Sequence, residues 1–251
     1  MSKIMKIITK TKDVILEALF PSSIKCILCG RDVPDFENSP FCSNCLSEGI
    51  FNDANRCVYC DNPILDGNKV CDFCKEKHKS FDKAFCPFIY TGKVRSAILK
   101  LKDDNGRYLA PTFAKYMAKR IQDEKVDFDI IIPVPLYKKK LAKRGYNQSE
   151  LLSNELGKLL DKPVCTDLLL KIKESSAQKN LNFAQRQQNL AGTLSLTDKN
   201  FVKDKKILVV DDVMTTGATL NACASLLKHY HCSAVYVSAI ARNPLEKVDK
   251  K

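Results

Sequence analysis

The segment Lys206–Leu220, KILVVDDVMTTGATL, restricts the fold more than any other stretch of the chain. Ile207–Val210 is an unbroken apolar run, not an alternating one, so a strand here must be covered on both faces. The threonines and Gly217 that follow lead directly into ATLNACASLLKHY, a helical pattern. Strand, tight turn and helix in immediate succession are the start of an α/β unit with a parallel sheet. The turn also has a chemistry. A helix N-terminus offers free N–H groups and the positive end of the helix dipole, Thr215, Thr216 and Thr219 add hydroxyl donors, and Gly217 allows close backbone approach. That combination suits a phosphate. Asp211 and Asp212 repel a bare phosphate and suit hydroxyls or a ligand-borne Mg²⁺. One ligand carrying both a phosphate and a ribose diol satisfies both halves.

Two other readings of this segment fail. A Walker-type loop needs G-x-x-x-x-G-K-[ST], which the chain lacks. A phosphorelay receiver also opens on ILVVDD, but it needs about 100 further residues, and too few follow Asp212.

The remainder of the C-terminal part agrees with a parallel sheet. Strands are expected at 84–90, 129–135, 168–173, 192–196, 206–212 and 233–241, and helices at 93–102, 107–122, 148–160 and 218–230. A leading helix over 5–20, stopped by Pro21, carries its apolar residues on one face.

Eight of the 12 cysteines form four C-x-x-C pairs: Cys26/Cys29, Cys42/Cys45, Cys57/Cys60 and Cys71/Cys74. A two-residue spacer turns both thiolates of a knuckle toward one ion, and two knuckles complete a tetrahedral Zn²⁺ shell. Two structural zinc sites follow, with sequential pairing favoured over an interleaved one, and zinc favoured over an iron–sulfur cluster. Four thiolates leave no open position for water, so no metal catalysis is expected there. Cys86, Cys165, Cys223 and Cys232 have no ligand spacing and read as small core residues. His78 is superfluous once both thiolate sets are complete. Cysteine content places the domain boundary near residue 80: 1–80 as helix and double zinc ribbon, and 81–251 as the α/β domain.

The net charge of +12 lies wholly in the second part. Residues 1–80 hold 11 basic and 11 acidic residues, whereas residues 81–251 hold 30 and 18. Such a domain favours polyanions. Its densest cluster is PVPLYKKKLAKRGYNQ, in which Lys138, Lys139, Lys140, Lys143 and Arg144 follow Pro135 after a buried strand. In a parallel sheet this loop leaves the same edge as the phosphate turn, where Arg144 can face a pyrophosphate. The polar segment 175–192, with Gln178, Arg186 and Asn189, reads as a loop able to close over a ligand. No run approaches the roughly 18 apolar residues of a membrane span. No leader peptide is evident. The expected location is the cytoplasm, with a peripheral place at the inner membrane face left open.

Lys206–Leu220 resembles the phosphoribosyl-pyrophosphate (PRPP) motif of type I phosphoribosyltransferases. That resemblance implies a PRPP site with Asp211 and Asp212 on the ribose hydroxyls and with Thr215, Thr216, Gly217, Ala218 and Thr219 on the 5′-phosphate. Val213, Pro135 and Arg144 complete the expected site, and Mg²⁺ accompanies PRPP. The order of parts along nearly the whole chain further resembles the ComF family of competence proteins and its GntX-type relatives. These parts are LFPSSIKCILCG, the paired C-x-x-C ribbons, Tyr90/Gly92/Arg95, Leu101–Lys102, PVPL, RGYNQ, Gln178/Arg186/Asn189 and VVDDVMTTGAT. After Lys102 the family usually has an aromatic residue and glycines, where this chain has Asp103–Asp104–Asn105. The resemblance implies a type I phosphoribosyltransferase-like parallel sheet behind a zinc ribbon. It also implies a role in DNA uptake during natural transformation, with PRPP, single-stranded DNA and other uptake proteins as partners. The alternatives are an active phosphoribosyltransferase of unknown acceptor and a PRPP-sensing scaffold.

Overall fold

The structure is a computed structural model that describes residues 25–33, 39–53, 55–64, 67–77, 79–174 and 192–245. The expected helix at 5–20, His78 and most of the expected closing loop, Gln178, Arg186 and Asn189 included, lie outside these residues. Packing divides the chain into two units, Met1–Gly49 and Ile50–Lys251.

The same local fold occurs once in each unit. In the first, a knuckle at Cys26–Gly30 is closed by a Lys25/Asp32 bridge, and Cys42 caps the one-turn helix α1 (Ser43–Ser47). In the second, a knuckle at Cys57–Asp61 is closed by an Arg56/Pro63 bridge, and Cys71 caps α2 (Asp72–Glu76). Each knuckle needs a left-handed residue after its second cysteine. Gly30 supplies it in the first at φ +74°, as its lack of a β carbon predicts. In the second that place is taken by Asp61 at φ 57°.

Asp61 occupies this less favourable conformation because its carboxylate is used. It is buried, accepts the Cys86 N–H at 2.6 Å and pairs with Arg120 at 2.7 Å. The diverted Cys86 N–H and the imide of Pro87 break the expected strand 84–90 in two, β1 (Lys83–Phe85) and β2 (Phe88–Ile89), both paired with the last strand, β7 (Ala234–Arg242).

The chain continues through α3 (Gly92–Leu101), a 3-10 helix (Asp104–Leu109) and α4 (Ala110–Asp123). The last two replace the single helix expected at 107–122, with Pro111 in the first turn of α4, where a missing N–H costs nothing. Then come β3 (Ile130–Pro133), α5 (Lys138–Arg144), α6 (Gln148–Leu160), β4 (Leu169–Lys171), β5 (Leu194–Leu196), β6 (Lys206–Met214), α7 (Ala218–His229) and β7 (Ala234–Arg242).

The main sheet is parallel throughout, in the order β1-β7-β6-β3 with β2 also on β7, and β4 and β5 form a separate antiparallel pair. Strand β6 lies at its centre, with Ile207 opposite Ile130 on one side and Val235 on the other. Ile207 and Val209 share a core with Leu220, Cys223, Ala224 and Leu227 of α7. Leu208 and Val210 alternate to the opposite face, and α6 packs on β6 and β3 and against α4. Both faces are covered, which is why β6 reads as a continuous apolar run. Cys86, Cys223 and Cys232 are buried, as small core residues should be, and Cys165 is half-buried.

Cysteine content changes near residue 80, but packing changes at 49/50. Cys57, Cys60 and Cys71 lie in one core cluster with Ile207, Val209 and Val237, joined further by the Asp61–Arg120 pair. A buried charge left wholly uncompensated costs about 3–5 kcal/mol. Arg120 keeps Glu124 as a second partner, so losing Asp61 costs less, about 2–3 kcal/mol with the orphaned Cys86 N–H included. Asp61→Ala is therefore expected to lower stability by about that much in denaturant unfolding. Asp61→Gly relieves the backbone yet should lose nearly as much. A loss below about 1 kcal/mol in either variant would show that the pair does not anchor this knuckle.

Candidate functional site

The carboxyl ends of β3 and β6 lie side by side, and the site is built there. Asn147 fixes its geometry. Its Nδ2 donates to the Val134 carbonyl at 3.0 Å, and its Oδ1 accepts the Ser149 N–H at 3.1 Å, capping α6 beside the end of β3. The first turn of α6 then reaches the acid pair. Ser149 Oγ donates to Asp211 Oδ1 at 3.1 Å, and Gln148 Nε2 donates to Asp212 Oδ2 at 2.7 Å. Lys102 Nζ lies 3.1 Å from Asp212 Oδ2, and Arg144 donates to Gln148 Oε1.

Tyr146 brings Lys102 into place. Its hydroxyl donates to the Leu101 carbonyl at 2.5 Å and lies 2.7 Å from that of Asp103, while Arg107 covers its ring at 4.2 Å. Gly145, at φ 76°, ends α5 and lets the chain turn back toward the sheet. In the string RGYNQ each residue thus has a separate structural task.

Lys102, the partner of Asp212, also lines a cavity of about 560 Å³ together with Asp103, Lys140, Lys143 and Arg144. Four cations against one carboxylate favour an anionic occupant, and the volume suits a small-molecule ligand. The turn Thr215–Thr219 follows the acid pair at the end of β6 and leads into α7. Gly217 stands at φ 76°, and a β carbon there would meet Met214 Cε at 2.8 Å. Thr216 Oγ1 accepts the Ala218 N–H at 3.4 Å. Val213 pairs with Ala241 in the sheet, and Pro135 is half-buried just past β3.

The two carboxylates are not equivalent. Desolvation, reinforced by the neighbouring charge of Asp212, pushes the Asp211 carboxyl up to about 7. Sequence reasoning places Asp211, Asp212, Arg144 and the threonine turn at one sheet edge, where the structure also has them. It misses Lys102, Gln148 and Ser149 as partners of the acid pair. Leu101–Lys102 and RGYNQ mark these regions, but nothing in the sequence says that they meet at Asp212.

The cysteines form two tetrads, Cys26/Cys29/Cys42/Cys45 and Cys57/Cys60/Cys71/Cys74, with all four sulfurs of each within 4.8 Å of one another. This is the sequential pairing. Cys26–Cys45, Cys29–Cys42 and Cys60–Cys71 are each separated by 3.6 Å. A tetrahedral ion with Zn–S bonds near 2.3 Å sets its sulfurs about 3.8 Å apart. Both tetrads can therefore hold zinc. When bound, the ion supplies cross-linking and no open coordination position.

A phosphoribosyl transferase domain model matches residues 112–251. The chain therefore has the type I phosphoribosyltransferase fold, a parallel sheet flanked by helices. Competence protein F of Haemophilus influenzae is 30% identical over 226 residues, covering 88% of this chain and 97% of that protein. Competence protein ComFC of Streptococcus pneumoniae is 27% identical over 234 residues, covering 87% of this chain and 100% of that protein. DNA utilization protein YhgH of Escherichia coli is 26% identical over 207 residues, covering 80% and 89%. The chain belongs to the ComF family of competence proteins. Among the described residues no helix is long and apolar enough to cross a membrane.

The raised carboxyl of Asp211 has a consequence for stability. Its folded-state value lies above the unfolded value, so the folded protein holds more protons between about pH 4 and 7. The stabilising contribution is full below that window and is lost as pH rises through it. Asp211→Asn removes this dependence. The melting temperature of Asp211→Asn minus that of the wild type should therefore grow from pH 4 to pH 8. A constant difference across that range would place the Asp211 carboxyl in the ordinary carboxylate range.

Proposed function

We propose that the chain is a DNA-uptake factor of natural transformation that binds PRPP with Mg²⁺ at the carboxyl end of β6 and binds single-stranded DNA through its basic C-terminal part. One observation carries the PRPP reading. The acid pair Asp211–Asp212 lies near the end of β6, just before a glycine turn at a helix N-terminus, and it is tied through Lys102 and Gln148 to a cavity rimmed by Lys102, Lys140, Lys143 and Arg144. In that reading Asp211 and Asp212 take the ribose hydroxyls, and Thr215–Thr219 take the 5′-phosphate. The cationic rim and Arg144 take the pyrophosphate with its Mg²⁺, and Val213 and Pro135 flank the sugar. Asp212 exchanges its bonds with Lys102 and Gln148 for ligand hydroxyls, which frees Lys102 for the pyrophosphate.

The experiment is calorimetric titration of PRPP–Mg²⁺ into the wild type and the Asp211→Ala/Asp212→Ala variant. Hydrogen bonds to charged groups contribute about 1.5–3 kcal/mol each, so the variant should bind more than about tenfold more weakly. Equal affinity in the two proteins would remove the acid pair from the site. Pyrophosphate release in the same samples, with candidate nitrogen bases added, distinguishes a working phosphoribosyltransferase from a binding protein or PRPP-sensing scaffold.

The DNA half of the reading draws on the relatives' names, Competence protein F and DNA utilization protein, and on the excess of 30 basic over 18 acidic residues in 81–251. Contacts to phosphates release counterions, and for single strands the logarithm of affinity falls with the logarithm of salt by about 0.7 per phosphate neutralised. Affinity for a single-stranded oligonucleotide should fall steeply as salt rises. A flat salt dependence would defeat the electrostatic account. Cytoplasmic location and other uptake proteins as partners belong to the same reading.

A further inference from the structure

Contacts between the second cysteine knuckle and the glycine turn are explained by neither the acid pair nor the cavity. Lys79, half-buried, donates from Nζ to the Thr216 carbonyl at 3.3 Å. The same ammonium lies 4.1 Å from the ring centroid of Phe73, the residue before Cys74. Phe73 packs in turn on Ala218, the first residue of α7. The Ser80 N–H donates to Asn221 Oδ1 at 2.7 Å, and a β carbon at Gly217 would stand 3.9 Å from the Phe81 ring.

A second cation holds the same turn. Arg242, at the end of β7, is wholly buried and donates to the Met214 carbonyl at 2.8 Å and to the Thr215 carbonyl. Three consecutive carbonyls, Met214, Thr215 and Thr216, thus each accept from Arg242 or Lys79. In a trans peptide the C=O and the next N–H point opposite ways. Cations on these carbonyls therefore turn the N–H groups of Thr215, Thr216 and Gly217 away from the knuckle, as an anion site requires.

Such cations need a counter-charge. Arg242 Nε is buried with no hydrogen-bond partner, and a buried cation without compensation costs several kcal/mol. The second tetrad can supply one: Phe73, whose ring lies 4.1 Å from the Lys79 ammonium, adjoins Cys74, which shares the tetrad with Cys57, Cys60 and Cys71. Four thiolates around Zn²⁺ carry a formal charge of about −2.

We propose that the Cys57/Cys60/Cys71/Cys74 centre is the buttress of the glycine turn, with Lys79 and Arg242 as positioning residues and the metal-bound tetrathiolate as their counter-ion. Metal occupancy at this centre and anion binding at the turn are then linked, each favouring the other. The ligand half of this inference rests on the PRPP reading, and the conformational half does not.

The test uses the full chain and four variants: Lys79→Met, Lys79→Arg, Cys74→Ser and, as a control, Lys75→Met. Lys75 is an exposed lysine of the same knuckle, bonded to Asp72. Metal content, amide exchange over 214–221 without ligand, and PRPP–Mg²⁺ affinity are measured on each. Lys79→Met is expected to keep both metals, to exchange about tenfold faster in the turn and to bind PRPP about tenfold more weakly. Lys79→Arg should restore both properties, and Lys75→Met should match the wild type. Cys74→Ser should lose one metal and show the fast-exchanging turn. If it does not fold, Lys79→Met decides the matter alone. Unchanged turn exchange in Lys79→Met overturns the proposal, even where PRPP binds more weakly, since Lys79 would then be only a ligand contact. Fast exchange in the variants of a protein whose wild type ignores PRPP upholds the buttress and rejects the PRPP reading.

Discussion

Two adjacent carboxylates at the end of a buried central strand are expensive to hold, and much of the C-terminal part is arranged around them. A carboxylate taken out of water without partners neutralises itself or destabilises the fold. Asp212, 6% exposed, receives Gln148 and Lys102. Asp211 receives Ser149 and the Asp212 N–H, and its carboxyl still rises to about 7. Supplying those donors imposes architecture. Helix α6 must start beside β3, which Asn147 ensures, and the end of α3 must be drawn in, which Tyr146 ensures. The loop is built to serve the acid pair before any ligand is considered.

This explains how far the site is legible in sequence. Local chemistry is visible: the apolar run of β6, the acid pair, the threonines and Gly217 carry their meaning within a few residues. So do the cysteine spacings, because a metal knuckle is a local object. Lys102 is different. Its ion pair with Asp212 exists because Tyr146 bonds the Leu101 carbonyl, and no pattern around residue 102 encodes that tertiary contact. The strand expected at 84–90 misleads for a related reason. Its apolar content is right for a strand, but the Cys86 N–H is captured by Asp61, 25 residues earlier. Pro87 then has no N–H with which to resume pairing.

The two knuckles show how one covalent pattern can serve two ends. Both need a left-handed residue after the second cysteine. Glycine fills that position without strain in the first, and the knuckle asks nothing further of it. In the second, Asp61 tolerates an unfavourable φ, and its side chain ties the knuckle to Cys86 and Arg120. A residue that departs from the conformationally easiest choice usually has a contact that offsets the strain. By that criterion the second knuckle is part of the sheet's own packing.

A rigid support in this place answers a specific mechanical problem. A glycine turn that binds an anion must hold several N–H groups pointing one way before the anion arrives, and glycine gives it little stiffness of its own. Packing from α7 fixes the helix but not the peptide planes that precede it. Those planes are fixed from the carbonyl side by donors that cannot themselves shift. A metal centre is a rigid neighbour for such donors, because binding worth about 10–16 kcal/mol resists local opening far better than a small apolar cluster. The rigidity reaches the turn through Phe73, Lys79 and Phe81, all within a few residues of Cys74. This edge of the sheet therefore has two supports of different kinds: a polar network under the acid pair, from α6, and the second cysteine knuckle, which contacts the glycine turn through Lys79 and Phe73.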